Sequence, residues 1–169
     1  MKNSHLILTS LIACTVFSCK KDELAGAKSQ YAKLIVGTWK AYQQNTKVYD
    51  LTTNELLKDS TVNFTDANAG RAFTEIYNGD GSAYVTVQTR KLGALVATTD
   101  TTSYLKYTIL GANLNLKQNI GGTETKPILT LTLTVMGLQS TRTGTLNAGW
   151  GLESDAPYKI IQGTYYTRQ

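Results

Sequence analysis

The side chains that most often do chemistry in proteins are scarce in this sequence and lie at its start. The single histidine is His5, and the two cysteines are Cys14 and Cys19. A Ser-His-Asp or Cys-His nucleophile system needs a histidine, and a zinc site of the common kind needs several Cys or His ligands. From residue 20 onward, catalysis would have to rest on carboxylates, lysines or tyrosines. We therefore expect a protein that is not an enzyme and that holds no metal or cofactor.

The charged residues do not form a pattern typical of a carboxylate enzyme or of a nucleic-acid-binding protein. The acidic residues are mostly single, without a recurring pair that resembles a glycosidase dyad. The formal net charge is +5, but after residue 30 the only adjacent basic pair is Arg90-Lys91. Nucleic-acid binding favours a basic stripe with interleaved aromatic residues. We accordingly expect no nucleic-acid partner, and a carboxylate enzyme is the least favoured functional hypothesis.

The first eighteen residues have the composition of an export signal. Lys2 provides a positive start, and residues 6–17 are mostly apolar and uncharged. This run has the length of a signal-peptide core and is shorter than the about 20 apolar residues that span a bilayer. We predict that residues 1–18 are a signal peptide that is removed from the mature protein.

The junction at Cys19 carries a short, recognisable motif. Residues 16–19 read Val-Phe-Ser-Cys, and the charged residues Lys-Lys-Asp-Glu follow at once. This junction resembles the lipobox of bacterial lipoproteins, and its charged continuation is similar to that of the Bacteroidetes group. The resemblance implies a diacylglycerol on the Cys19 thiol, cleavage before Cys19, and a further acyl chain such as palmitate on the new amino group. Because two acyl chains anchor a protein stably, we expect a lipid-anchored protein of the bacterial cell envelope, at the outer membrane.

Cys14 is a rival lipidation site, because residues 11–14 read Leu-Ile-Ala-Cys and fit the same pattern. We favour Cys19, since cleavage there leaves a longer apolar signal core and places the charges directly after the lipid. The predicted mature chain then has a lipidated N-terminus and tether at residues 19–33 and one domain at residues 34–169. The apolar spacing in the tether fits a short helix, and a disordered leash fits equally well.

From residue 34 onward, short β-prone runs alternate with turn residues. Asn78-Gly79-Asp80-Gly81 is a strong hairpin signal. Residues 128–135 alternate leucine or valine with threonine, which predicts one strand with one buried face. No helical pattern stands between the runs, which disfavours parallel βαβ folds, so we predict an all-β fold that is either a closed barrel or a sandwich. The predicted strands cover residues 34–43, 61–65, 72–77, 83–91, 103–110, 114–116, 128–135, 142–146 and 158–167.

Two ends of this β region are similar to the calycin barrels, which include lipocalins, fatty-acid-binding proteins and avidins. Gly37-Thr38-Trp39 matches their opening Gly-x-Trp motif, and Arg168 stands after the last predicted strand. Residues 78–81, 107–116 and 129–135 also resemble bacterial lipocalin-like lipoproteins. The resemblance implies a lipocalin-like, antiparallel up-and-down barrel of about eight strands, closed by Trp39 beneath Arg168. The second lipocalin motif and the C-terminal helix are missing, so the family's ligand chemistry does not carry over.

The leading functional hypothesis is a membrane-anchored, lipocalin-like lipoprotein that binds a small apolar ligand in its barrel. The alternative is a ligand-free accessory or interaction module of the envelope, acting on a protein partner. Trp150 lies between two glycines, where it could either cover a barrel mouth or fold onto the core. A continuous interior cavity would favour the ligand-binding hypothesis. The ligand-binding candidates are Trp39, Val87, Tyr107, Leu131, Leu133 and Trp150.

The lipidation site can be tested by substitution of each cysteine in turn. Cys19→Ala should move the protein from the membrane to the soluble envelope fraction, because the atom that carries the lipid is lost. Cys14→Ala is the matched control and should leave the protein on the membrane. Immunoblots of fractionated cells measure both. Release by Cys14→Ala alone would instead assign lipidation to Cys14.

Overall fold

This computed structural model describes residues 30–64, 70–90, 97–145 and 157–169. Within these residues the chain forms nine antiparallel strands and one short helical segment. Residues 30–35 are helical. Of the two expected forms of the tether, a short helix and a disordered leash, its end therefore adopts the helix. The strands are β1 (Gly37–Asp50), β2 (Leu56–Asn63), β3 (Arg71–Tyr77), β4 (Ala83–Arg90), β5 (Ala97–Leu110), β6 (Asn113–Gln118), β7 (Thr123–Leu131), β8 (Val135–Thr145) and β9 (Pro157–Arg168).

Eight of these strands close into a barrel. From β3 to β9 each strand pairs with the next, and β1 completes the circle by pairing with both β3 and β9. The predicted all-β, antiparallel up-and-down barrel is thereby confirmed. The remaining strand, β2, pairs with residues 43–49 of β1, whereas β3 pairs with residues 37–40. The long strand β1 therefore pairs along one edge first with β3 and then with β2.

The barrel has two different ends. At the closed end, β1 begins, and residues 78–82, 111–112 and 132–134 connect consecutive strands. At the open end, β1 finishes at Asp50 and β9 starts at Pro157, since these two residues flank the last pairing rungs of the two strands. The helical segment precedes β1 and hence adjoins the closed end.

The closed end is plugged by Trp39, which is fully buried and whose indole N–H donates a 2.7 Å hydrogen bond to the carbonyl of Ile35. The Arg168 guanidinium lies 4.6 Å from the centre of the Trp39 ring, and its Nη2 donates to the carbonyl of Leu34. Gly37 has a φ of 143°, and a Cβ there would lie 3.3 Å from Arg168 Nη1. The glycine before the tryptophan therefore makes room for the arginine that covers it.

Bulges change which residues face inward. In β1 the pairing with β9 shifts between Ala41 and Gln43, so the inward positions change from odd to even numbers. In β5 the pairing with β6 shifts between Tyr104 and Lys106, and both Tyr104 and Tyr107 are buried. Tyr104 and Tyr107 therefore both face inward although they are three residues apart, because a bulge inserts one extra residue and reverses the alternation.

The predicted single strand over residues 128–135 is also wrong. β7 ends at Leu131 and β8 begins at Val135. Between them the Thr132 hydroxyl accepts hydrogen bonds from the backbone N–H groups of Thr134 (3.3 Å) and Val135 (3.0 Å). A threonine side chain that bonds to nearby backbone competes with the strand ladder and favours a turn. Leu133 consequently lies at the turn, 71% exposed, and the expectation that it faces the interior is wrong.

The closed part of the barrel is filled by side chains. Fully buried side chains from β1, β3, β6 and β8 meet there. The buried core consists of Ile35, Trp39, Ala41, Tyr77, Ala83, Tyr104, Tyr107, Leu114, Leu116, Leu131, Met136, Leu138 and Tyr166. A second buried apolar group, Val48, Tyr158 and Ile160, lies on β1 and β9 toward the open end.

The contribution of Trp39 to the closed end can be tested by substitution. Trp39→Ala should lower the free energy of unfolding by about 3–5 kcal/mol, because it deletes a fully buried large aromatic side chain. Leu133→Ala, at an exposed turn, is the control and should change stability by less than about 0.5 kcal/mol. Denaturant titrations followed by far-UV circular dichroism measure both. Equal stability of the two variants would contradict closure on Trp39.

Candidate functional site

A charged cluster lies inside the barrel, and its centre is the carboxylate of Glu75 on β3. Strand alternation places Glu75 on the same face as Tyr77, and Glu75 is only 2% exposed. Burial of a carboxylate is costly unless hydrogen bonds and an opposite charge compensate for lost water. The partners of Glu75 should therefore be numerous.

Three donors converge on Glu75. The Tyr166 hydroxyl donates to Oε1 at 2.7 Å, and the Lys126 ammonium lies 3.3 Å from the same oxygen. The Tyr77 hydroxyl donates to the other oxygen, Oε2. These charge-assisted bonds are stronger than neutral ones, and they occupy both carboxylate oxygens.

Lys126 connects Glu75 to a second carboxylate. Its Nζ lies 3.8 Å from Oε1 of Glu124, and the Tyr104 hydroxyl donates to Oε2 of Glu124 at 3.0 Å. The side chain of Lys126 is 13% exposed, whereas that of Glu124 is 37% exposed. The cluster, which we call the Glu75 cluster, therefore runs from the buried core toward solvent. Its members are Glu75, Tyr77, Tyr104, Glu124, Lys126 and Tyr166.

Burial and the neighbouring carboxylates raise the pKa values of the donors. Burial, followed by the negative charge of Glu75, raises the pKa of Tyr77 and of Tyr166 well above the ordinary tyrosine value. Burial alone would lower the pKa of Lys126, but the charges of Glu75 and Glu124 outweigh it and raise that pKa. All three groups therefore keep their protons at neutral pH, as the hydrogen bonds to Glu75 require.

Between the core and the buried apolar group of Val48, Tyr158 and Ile160, the inner wall of β1 and β9 is polar. The Gln44 amide donates to the Thr164 hydroxyl at 3.0 Å, and the Gln162 amide donates to the Thr46 hydroxyl at 3.3 Å. Gln44 and Thr46 face inward because the bulge at residue 42 reverses the alternation of β1. Thr164 and Gln162 lie opposite them on β9. Each amide retains further donor and acceptor capacity, so this wall can hydrogen-bond to a ligand.

Three of the sequence-predicted ligand residues belong to the core instead of lining an open space. Trp39 is the plug, Leu131 is 8% exposed, and the Tyr107 hydroxyl donates to the carbonyl of Asn78 at 2.8 Å. The Tyr107 ring also packs edge-on against Tyr77, with ring centres 5.2 Å apart. The structure thus brings Trp39, Tyr107 and Leu131 together as packing residues.

The other candidates are dispersed. Val87 lies on β4, half-buried and paired with Asp100 on β5. Leu133 is excluded from the interior by its exposed position. Trp150 and the predicted lipidation site Cys19 lie outside the described residues.

Sequence reasoning missed the Glu75 cluster. A local signal for Glu75 exists, since Phe73, Glu75 and Tyr77 share one face of a strand and two of them are aromatic. A charged residue that shares its strand face with an aromatic residue on either side indicates a buried polar contact. The sequence contains no comparable local signal that Lys126 and Tyr166 are its partners.

Neither a metal centre in the described part of the chain nor a related protein identifies the site. Within the described ranges, no three His, Cys, Asp or Glu residues lie close enough together to hold a metal ion. In the same ranges, no helix has the length and apolarity needed to cross a membrane. No protein-family model matches the chain, and a search of curated proteins likewise finds no match.

The hydrogen bond from Tyr166 to Glu75 can be tested by removal of one hydroxyl. Tyr166→Phe should lower the free energy of unfolding by about 1–3 kcal/mol, because a buried carboxylate loses a donor. Tyr165→Phe removes the hydroxyl of the preceding residue, whose ring lies against Gly137 on the outer face. That control should change stability by less than about 0.5 kcal/mol. Denaturant titrations at neutral pH compare the two variants.

The raised pKa values predict a loss of stability in alkali. The folded protein holds the protons of Tyr77, Tyr166 and Lys126 more tightly than the unfolded chain does. Their contribution is therefore complete below the ordinary tyrosine value of 10.0 and is lost as the pH rises through the folded-state values. Urea titrations at increasing pH should show a falling free energy of unfolding above about pH 10. Tyr166→Phe should reduce that slope, and an unchanged slope would contradict the assignment.

Proposed function

We propose that this protein is a lipid-anchored, lipocalin-like barrel of the bacterial cell envelope that binds a small ligand in its open part. The motif at Cys19 supports the anchor, and the closed barrel with Trp39 beneath Arg168 supports the family resemblance. The observation that carries the binding proposal is the polar inner wall formed by Gln44 and Gln162 beyond a filled core. A small barrel can hold one ligand where its interior is not filled by side chains.

The ligand we propose is a small, largely apolar molecule that also carries hydrogen-bonding groups. The sequence predicts a small apolar ligand from the inward set Trp39, Val87, Tyr107, Leu131 and Leu133, but Trp39, Tyr107 and Leu131 belong to the packed core. The remaining inward surface combines the amides of Gln44 and Gln162 with aliphatic groups such as Val87. Ligand sites usually combine apolar walls with a few placed polar groups, and this surface has that composition.

We propose binding in preference to catalysis, although the Glu75 cluster contains two carboxylates. Glu75 and Glu124 lie 3.3 and 3.8 Å from the same lysine nitrogen, so they are close in space. A glycosidase acid must be accessible to substrate and able to donate a proton. Glu75 is 2% exposed and both of its oxygens accept hydrogen bonds, which suits a structural group.

The filled closed part also favours a second candidate, the ligand-free accessory module. Side chains occupy the space that a lipocalin-type ligand would need there, and the Gln–Thr pairs already bond to each other. A module of this kind would act through its outer surface and would carry no small molecule in the barrel.

Native mass spectrometry of the protein extracted from its own cells distinguishes the two candidates. The binding proposal predicts an additional bound mass on the wild type. Gln44→Leu should reduce its occupancy at limiting ligand about tenfold, the effect of losing roughly 1.4 kcal/mol of hydrogen bonding. Gln43→Leu is the matched control, because Gln43 bonds to Asn63 on the exposed side of the sheet. Wild-type protein without any bound mass would support the accessory module instead.

A further inference from the structure

Two leucines are exposed at turns of the closed end. Leu110 ends β5 and is 64% exposed, and Leu133 lies between β7 and β8 and is 71% exposed. Leu110 and Leu133 thus place two large aliphatic side chains on adjacent turns of the closed end.

The tether joins the barrel at this same end. Ile35, at the end of the helical segment, is fully buried, and Tyr31 and Leu34 pack against the core beside it. The path from Cys19 to Gln30 covers eleven residues, which reach at most about 40 Å when fully extended. The barrel wall is roughly 30 Å tall, given its strand lengths and the usual tilt. A membrane at the open end would therefore require a tether stretched to about three-quarters of its full length, whereas a membrane at the closed end would not.

The exposed charges near the closed end are mainly positive. Lys33 on the helical segment and Lys40 near the start of β1 are exposed, and Asp80 in the first hairpin turn is the acidic residue nearby. Lysines close to a bilayer surface are attracted to anionic headgroups. The charge of this end is thus compatible with a phospholipid surface.

We infer that the closed end rests on the bilayer that holds the anchor, with Leu110 and Leu133 inserted at the boundary between headgroups and acyl chains. The inference depends on the proposed lipidation of Cys19, which confines the domain to the membrane surface. Apolar side chains at such a boundary add binding to that of an acyl anchor. The open end is then directed away from the bilayer, where a ligand in water can enter.

Site-specific fluorescence on the full-length, lipidated protein tests this orientation. A polarity-sensitive thiol dye is attached to Leu133→Cys, to Leu110→Cys and, as the matched control, to Ile120→Cys. Ile120 is 90% exposed on the β6–β7 turn at the open end. The acylated Cys19 sulfur does not react with the dye, and Cys14 leaves with the signal peptide. The proteins are reconstituted into vesicles of phosphatidylethanolamine and phosphatidylglycerol that contain a nitroxide-labelled lipid.

We expect a blue shift and at least twofold quenching of the dye at positions 133 and 110, with no quenching at position 120. Flotation of the vesicles reports separately on the anchor. If the protein floats with the vesicles but the dye at positions 133 and 110 is not quenched, the orientation is wrong and the anchor stands. If the wild-type protein does not float, the lipid anchor is wrong and the orientation is overturned with it.

Discussion

The buried carboxylate of Glu75 is the interaction on which the rest of the barrel depends. A charge that is removed from water must find compensating partners inside the protein, and Glu75 takes them from its own strand and from β7 and β9. A slip of one residue in either distant strand would turn Lys126 or Tyr166 outward and leave the charge unpaired. The cluster therefore favours the register in which the barrel closes, together with the apolar core.

The two bulges near this cluster divide the barrel into parts of different chemistry. The bulge in β5 places Tyr104 and Tyr107 on the same inner face, one bonded to Glu124 and the other to the first hairpin turn. The bulge in β1 directs Gln44 into the interior after Trp39 and Ala41. Without these extra residues, strict alternation would continue the earlier inward set. The filled core and the polar wall are thus consequences of the same local device.

The closed end combines packing with the geometry of attachment. Arg168 covers Trp39 and bonds to the carbonyl of Leu34, so the last strand holds the segment that precedes the first. The chain must consequently leave the barrel at this end, close to the turns that expose Leu110 and Leu133. If the chain is lipidated at Cys19, the plug also determines which end of the barrel lies nearest the membrane.

The sequence by itself determined the fold class, because strand alternation and turn chemistry are local. The hairpin at Asn78–Gly81 and the all-β class were both predictable in this way, whereas the choice of a barrel over a sandwich came from the family resemblance. The local alternation also led to one wrong prediction, a single strand over residues 128–135. The alternation there continues through a turn in which the Thr132 hydroxyl accepts a backbone hydrogen bond. Only the tertiary structure decided the Glu75 cluster and the inward direction of Gln44. Lys126 and Tyr166 lie 51 and 91 residues from Glu75, and a bulge is visible only in the pairing of two strands, so neither leaves a periodic signal in the chain.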